Sequence, residues 1–193
     1  MANAIDLCVL ADVKSYLGIT VSTTDSILSL LITNASAFIA SYCNRKFASQ
    51  NYTETRNGSG GYRVYCNNSP VTAVSSVTVD GYAIPQALSP TMYGFTFDTS
   101  LIYIRQGIPN SGTPNTFQKG VQNITVAYTA GYVTTPPDLS MACIELVASK
   151  FAKRDRIDKK NETLGSQQTI GYDISDMPAS VKTTLKQYQR WPF

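Results

Sequence analysis

The sequence predicts an α+β protein: a helical bundle of about four helices with a β-rich insertion between the second and third helices. Three observations point there. Apolar residues recur at three-and-four spacing up to about residue 46 and again from Leu139, the mark of amphipathic helices. Between residues 51 and 132 the pattern changes to short runs of aromatic and β-branched residues separated by turn pairs. Over 121–156 the hydrophobic period switches once, from two to about three and a half, so that a strand runs directly into a helix. Strands and helices segregated in this way make an α+β arrangement. The expected organisation is a pair of helices over 1–50, the β-rich insertion over 51–134, a central helix over 135–157, and an extended arm with a C-terminal helix over 158–193.

In chain order, residues 11–17 read as a short helix with Val13, Tyr16 and Leu17 on one side and Gly18 as its stop. Thr23, Thr24 and Asp25 offer N-cap oxygens to a helix over 24–46, roughly 33 Å long at 1.5 Å per residue. Its stripe is Leu28, Leu31, Ala35, Phe38, Ile39 and Tyr42, and Asn44, Arg45 and Lys46 form a basic last turn. Strands are expected over 52–56, 62–66, 71–79, 93–97, 101–104 and 121–128. Asn57-Gly58 and Asp80-Gly81 are pairs that suit two-residue type I′ hairpins, since Asn, Asp and Gly tolerate positive φ. The stretch 107–120, with Pro109 and Pro114, is too polar for a core and reads as an exposed loop.

Pro137 and Asp138 suit the first turn of the central helix, where a missing N–H is tolerated and a negative charge is favoured. Leu139, Cys143, Val147 and Phe151 recur every four residues, with Ile144 and Ala148 beside them. Residues 158–176 are polar and read as a linker or arm. Pro178 opens a last helix with a stripe of Val181, Leu185 and Tyr188, followed by Trp191, Pro192 and Phe193.

At 193 residues, 43% hydrophobic and 15% charged, the composition is that of a soluble globular chain, with no segment long enough to span a membrane and no visible secretory signal. The absence of histidine excludes Ser-His-Asp and Cys-His arrangements and His-ligated metals, and no P-loop or dinucleotide fingerprint is present. Four cysteines, Cys8, Cys43, Cys66 and Cys143, are scattered without C-x-x-C spacing and read as small core hydrophobes. No catalytic residue, cofactor or metal site is expected. Six N-x-S/T triplets follow from a Ser/Thr/Asn-rich composition and carry no assignment. Lys150, Lys153, Arg154, Arg156, Lys159 and Lys160 stand against Asp155 and Asp158 and could contact DNA or an acidic partner. The plainer reading is a solvated helix end that completes the dipole. The twelve tyrosines suggest packing first and a sugar site second.

The order of parts resembles the head-tail connector (adaptor, or head-completion) proteins of long-tailed bacteriophages. The resemblance is carried by the opening helix over 10–18 and the long helix ending in Tyr42-Cys43-Asn44-Arg45-Lys46-Phe47. Pro70-Val71 through Val79-Asp80-Gly81 and the run Val126-Ala127-Tyr128-Thr129-Ala130-Gly131-Tyr132 leading through Pro137-Asp138-Leu139 also carry it, as does the helix after Met177-Pro178. The insertion is longer than in the family's compact version, above all between Tyr82 and Gly120. The resemblance implies a non-enzymatic virion protein of the neck, assembled in the host cytoplasm. It further implies a homo-oligomeric ring, a dodecamer in the family, that sits beneath the portal protein, extends the channel for genomic DNA and offers a surface to the next neck or tail-completion protein. Docking on the portal then falls to the C-terminal segment, with Val181, Leu185, Tyr188, Trp191 and Phe193 as its apolar anchors. The alternative from another class is a carbohydrate-binding or host-recognition module built on the tyrosine- and asparagine-rich β region.

Overall fold

The computed structural model describes residues 5–89, 91–105, 114–154, 161–164, 168–171 and 177–190. Among the described residues it is α+β, with four helices and the β-rich segment between the second and third of them. The chain forms two compact units, one of residues 1–47 and 134–193 and one of residues 48–133.

The helical unit holds α1 (Leu10–Leu17), α2 (Asp25–Tyr42), α3 (Pro137–Lys153) and α4 (Ala179–Tyr188), with α3 packed against the other three. Gly18 closes α1 as the sequence predicts: its φ of 68° lets the Ile19 N–H turn back to the Lys14 carbonyl at 3.0 Å. The second helix differs from expectation at both ends. Thr24 is its N-cap residue but makes no side-chain cap bond, and Asp25 instead accepts from Lys14 Nζ at 2.7 Å, joining α1 to α2. It stops at Tyr42 without a basic last turn, because Asn44 takes a φ of 50° and the Arg45 N–H closes back on the Ala40 carbonyl at 3.1 Å. Leu28, Ile32, Ala35 and Ile39 face the core, with Leu139, Cys143, Leu146 and Val147 of α3 buried in the same unit. Each leucine, isoleucine or valine among them contributes about 1.5–3 kcal/mol by leaving water.

Residues 158–176, expected as a linker or arm, contain β8 (Asn161–Leu164) paired antiparallel with β9 (Gln168–Gly171). A run this polar has no hydropathy period, which is why its pairing was not legible.

The β unit is a two-sheet sandwich around one core. Its first sheet has the order β1-β7-β3-β4, from β1 (Gln50–Gly58), β7 (Gly120–Ala130), β3 (Val71–Val79) and β4 (Tyr82–Ile84), with every pair antiparallel. The second has the order β2-β6-β5, from β2 (Arg63–Tyr65), β6 (Leu101–Arg105) and β5 (Gly94–Phe97). Val77, Val79, Ile124, Val126 and Tyr128 of the first sheet meet Val64, Phe95, Ile102 and Ile104 of the second. The alternation expected in β7 holds from Ile124 to Ala130. Asp80 and Gly81, at φ 49° and 82°, make the expected hairpin between β3 and β4.

Asn57-Gly58 makes no hairpin. Strand β1 pairs with the distant β7, and the register slips between Arg56 and Gly58. Gly58 is needed there because a Cβ would collide with the Gln118 carbonyl oxygen. The loop expected to be exposed over 107–120 is also corrected in part. Pro114 is buried and Phe117 is a fully buried core residue, clamped by Gly60 N–H to Phe117 carbonyl at 2.7 Å and Phe117 N–H to Gly61 carbonyl at 2.8 Å. Residues 107–113 lie outside the described residues.

Candidate assembly surfaces

The C-terminal helix lies on its own unit. Val181 and Leu185 are 0% exposed. Ser180 Oγ donates to Glu145 near the middle of α3 at 2.7 Å, while the Tyr188 hydroxyl reaches Asp138 at its start at 2.7 Å, so α4 runs antiparallel to α3. The Tyr188 ring meets Phe47 edge-on at 6.0 Å, and the Arg190 N–H caps the Cys43 carbonyl at the end of α2. Of the five residues expected to dock on a portal, Val181 and Leu185 are buried in the helical unit, where they hold α4 in place. Tyr188 is partly exposed but tied to Asp138, and Trp191 and Phe193 lie outside the described residues.

Three residues of the basic cluster are described. Lys150, Lys153 and Arg154 come together at the C-terminal end of α3, where the helix dipole favours positive charge. Two of them lie over aromatic faces: Lys150 Nζ is 5.1 Å from the Phe38 ring centre, and the Arg154 guanidinium 4.0 Å from that of Phe151. Arg156, Lys159 and Lys160 lie outside the described residues.

A surface that the sequence reading missed lies on α2. The face opposite its core stripe begins with Ile27 and Leu30, one turn apart and 38% and 60% exposed. The signal was present as an apolar run of Ile27, Leu28, Leu30, Leu31 and Ile32, wider than one core-facing stripe needs.

The β unit carries one dense polar cluster. Glu54 accepts from the Tyr128 hydroxyl, Asn68 Nδ2, the Asn67 N–H and Arg56, while the Asn68 N–H donates to the Tyr128 oxygen at 3.1 Å. Burial pushes the Tyr128 phenol up, and its bond to Glu54 adds to this. The cluster fixes the chain at 67–68 against the sheet. It accounts for the buried Tyr128 hydroxyl and the partly buried Glu54, and it is a structural feature with both carboxylate oxygens occupied. Tyr62, Tyr65 and Tyr82 remain about half exposed or more.

The family model for head completion proteins matches residues 6–191. The chain belongs to the head completion protein family. Among solved structures, this chain is similar to a chain in "Neck of empty GTA particle computed with C6 symmetry", with a TM-score of 0.57, 15% identity, and 100% of this chain and 94% of that chain covered. It is similar to a chain in "Neck of native GTA particle computed with C12 symmetry" at a TM-score of 0.57 and 14% identity, covering 100% and 93%. A third, from "Virion of native gene transfer agent (GTA) particle", gives 0.54 and 16%, covering 95% and 90%. No curated protein matches this family member in sequence.

Proposed function

We propose that the protein is a structural component of a phage-like virion neck: a ring of identical subunits beneath the portal protein that extends the DNA channel and presents a surface to the next neck or tail-completion protein. The observation that carries this reading is the family match over residues 6–191, almost the whole chain. Likeness in fold to chains of symmetric neck particles supports it.

A closed ring requires one face of each subunit to fit a different face of its neighbour. On α2, Ile27 and Leu30 give such a face its apolar anchor, and the occupant is a second copy of this chain. The lysines and arginine at the end of α3 offer sequence-independent contact to DNA phosphates in the channel. Portal docking falls to the segment beyond α4, with Trp191 and Phe193 as the aromatic anchors.

The test is sedimentation velocity of the wild type and Leu30→Glu, each alone and with portal. The wild type is expected to form a ring with portal present, and the variant to stay monomeric with unchanged circular dichroism. A ring formed equally well by Leu30→Glu overturns the assigned surface, and a wild type that never assembles with portal overturns the function.

A further inference from the structure

Two of the four cysteines meet in space. Cys8 lies in the irregular segment before α1 and Cys143 on the buried face of α3, 135 residues further along, yet their Sγ atoms are 3.5 Å apart. The other two are placed differently: Cys43 Sγ donates to the Leu185 carbonyl at 3.7 Å, and Cys66 belongs to the β unit. The segment carrying Cys8 is held by side chains rather than by a helix or a ladder. Leu7 N–H donates to Ser36 Oγ at 3.0 Å, and Thr33 Oγ1 donates to Asp6 at 2.9 Å.

We propose that Cys8 and Cys143 are an oxidation site, which closes to a disulfide that pins the N-terminal segment to α3. A disulfide holds its sulfurs about 2.05 Å apart, so the pair must close by roughly 1.5 Å. Cys8 is 5% exposed and Cys143 is 0%, so reagents reach them only when the segment lifts, a local opening that breaks the Leu7–Ser36, Thr33–Asp6 and Cys8–Cys143 contacts among others.

Access assigns the roles, because Cys8 rides on the segment that lifts while Cys143 stays on the buried face of α3. The hydrogen bond from Cys8 lowers the Cys143 thiol, against the cost of burial and with help from the Ser36 hydroxyl at 3.6 Å, while the same contact raises Cys8. In the reduced, closed pair the Cys8 thiol thus donates and the Cys143 sulfur accepts. With oxidised glutathione as the oxidant, Cys8 in the opened segment loses its proton and attacks one sulfur of the reagent; the reagent's S–S bond breaks, and one glutathione thiolate leaves. As the segment returns, the Cys143 thiol gives its proton to solvent and its sulfur attacks the Cys8 sulfur of the mixed disulfide; the bond to the second glutathione breaks and that glutathione leaves as a thiolate. Two protein thiols are oxidised by two electrons and release two protons, and the reagent is reduced to two thiols. The new bond encloses the whole β unit, residues 48–133, within one covalent loop.

The test uses the full chain, folded, incubated with oxidised glutathione, quenched, denatured in alkylating reagent and digested with trypsin without reduction. Each cysteine lies on its own tryptic peptide, so the linkage is unambiguous. The expected product links the peptide of residues 1–14 to that of residues 120–150, with Cys43 and Cys66 recovered alkylated. Its urea midpoint should rise and return on reduction. Cys143→Ser should accumulate glutathione on Cys8, and Cys43→Ser should still cross-link. A link that forms only in denaturant, equal linkage through Cys43 or Cys66, or a Cys8 adduct in the wild type that never resolves would each overturn the proposal. Mapping the wild type decides the matter even if a variant fails to fold.

Discussion

Replacing Leu185 by alanine tests whether α4 is part of the folded core. The side chain is 0% exposed and sits on a ten-residue helix, so its loss exposes no new surface that could compensate. Removing three carbons forfeits about 2.4 kcal/mol of transfer free energy. A cavity that the neighbours cannot fill adds up to about 2 kcal/mol. The expected loss is therefore about 2.5–4.5 kcal/mol, unless α4 undocks first and caps it at the local opening free energy. Urea unfolding followed by circular dichroism reads the total, and hydrogen exchange of the α4 amides separates global loss from local undocking. A loss below about 1 kcal/mol with unchanged exchange in α4 would refute the packing argument. By the same reasoning, deletion of residues 180–193 removes Val181 and Leu185 and should damage the helical unit.

Three further outcomes are expected. Tyr128→Phe removes the hydroxyl that links Glu54 and Asn68 and should cost about 1–3 kcal/mol in thermal or urea unfolding; no change would mean that the cluster is dispensable. Burial pushes the Cys43 thiol up to about 11 and Cys66 up to about 12, above the ordinary value near 9. The folded state thus keeps protons that the unfolded chain loses, so stability is complete below pH 9 and falls as pH rises through 11 and 12, by up to about 1.4 kcal/mol per pH unit for each thiol. Cys66→Ala should flatten that alkaline decline, and an unchanged slope would contradict it. Deleting residues 191–193 should leave the melting temperature within a few degrees of wild type but weaken portal binding at least about tenfold if an aromatic hot spot is lost, and an undiminished pull-down would remove the docking role from those residues.

Local physics was readable in the chain. The period switch before α3, the left-handed Gly18 stop and the Asp80-Gly81 hairpin each depend on a few adjacent residues, and all three stand in the structure. What stayed hidden depends on distant partners. Asn57-Gly58 looks like a hairpin pair until β1 is seen to pair with a strand more than sixty residues away. Phe117 is a lone aromatic in a polar stretch and has no period to reveal it, while α4 is too short to be stable except on the surface that α3 supplies. The candidate surfaces follow the same rule. The basic end of α3 was legible as a charge run, but the commitment of Val181 and Leu185 to the core and the meeting of Cys8 with Cys143 come only from the fold.

The central claim is assembly into a neck ring, and electron cryomicroscopy of the purified protein mixed with the portal of the same particle tests it most directly. The account predicts a closed ring of this chain, coaxial with the portal and around the channel, with Ile27 and Leu30 of α2 covered by the neighbouring copy. Portal particles that carry no added density, with this protein still monomeric in the same sample, would contradict it.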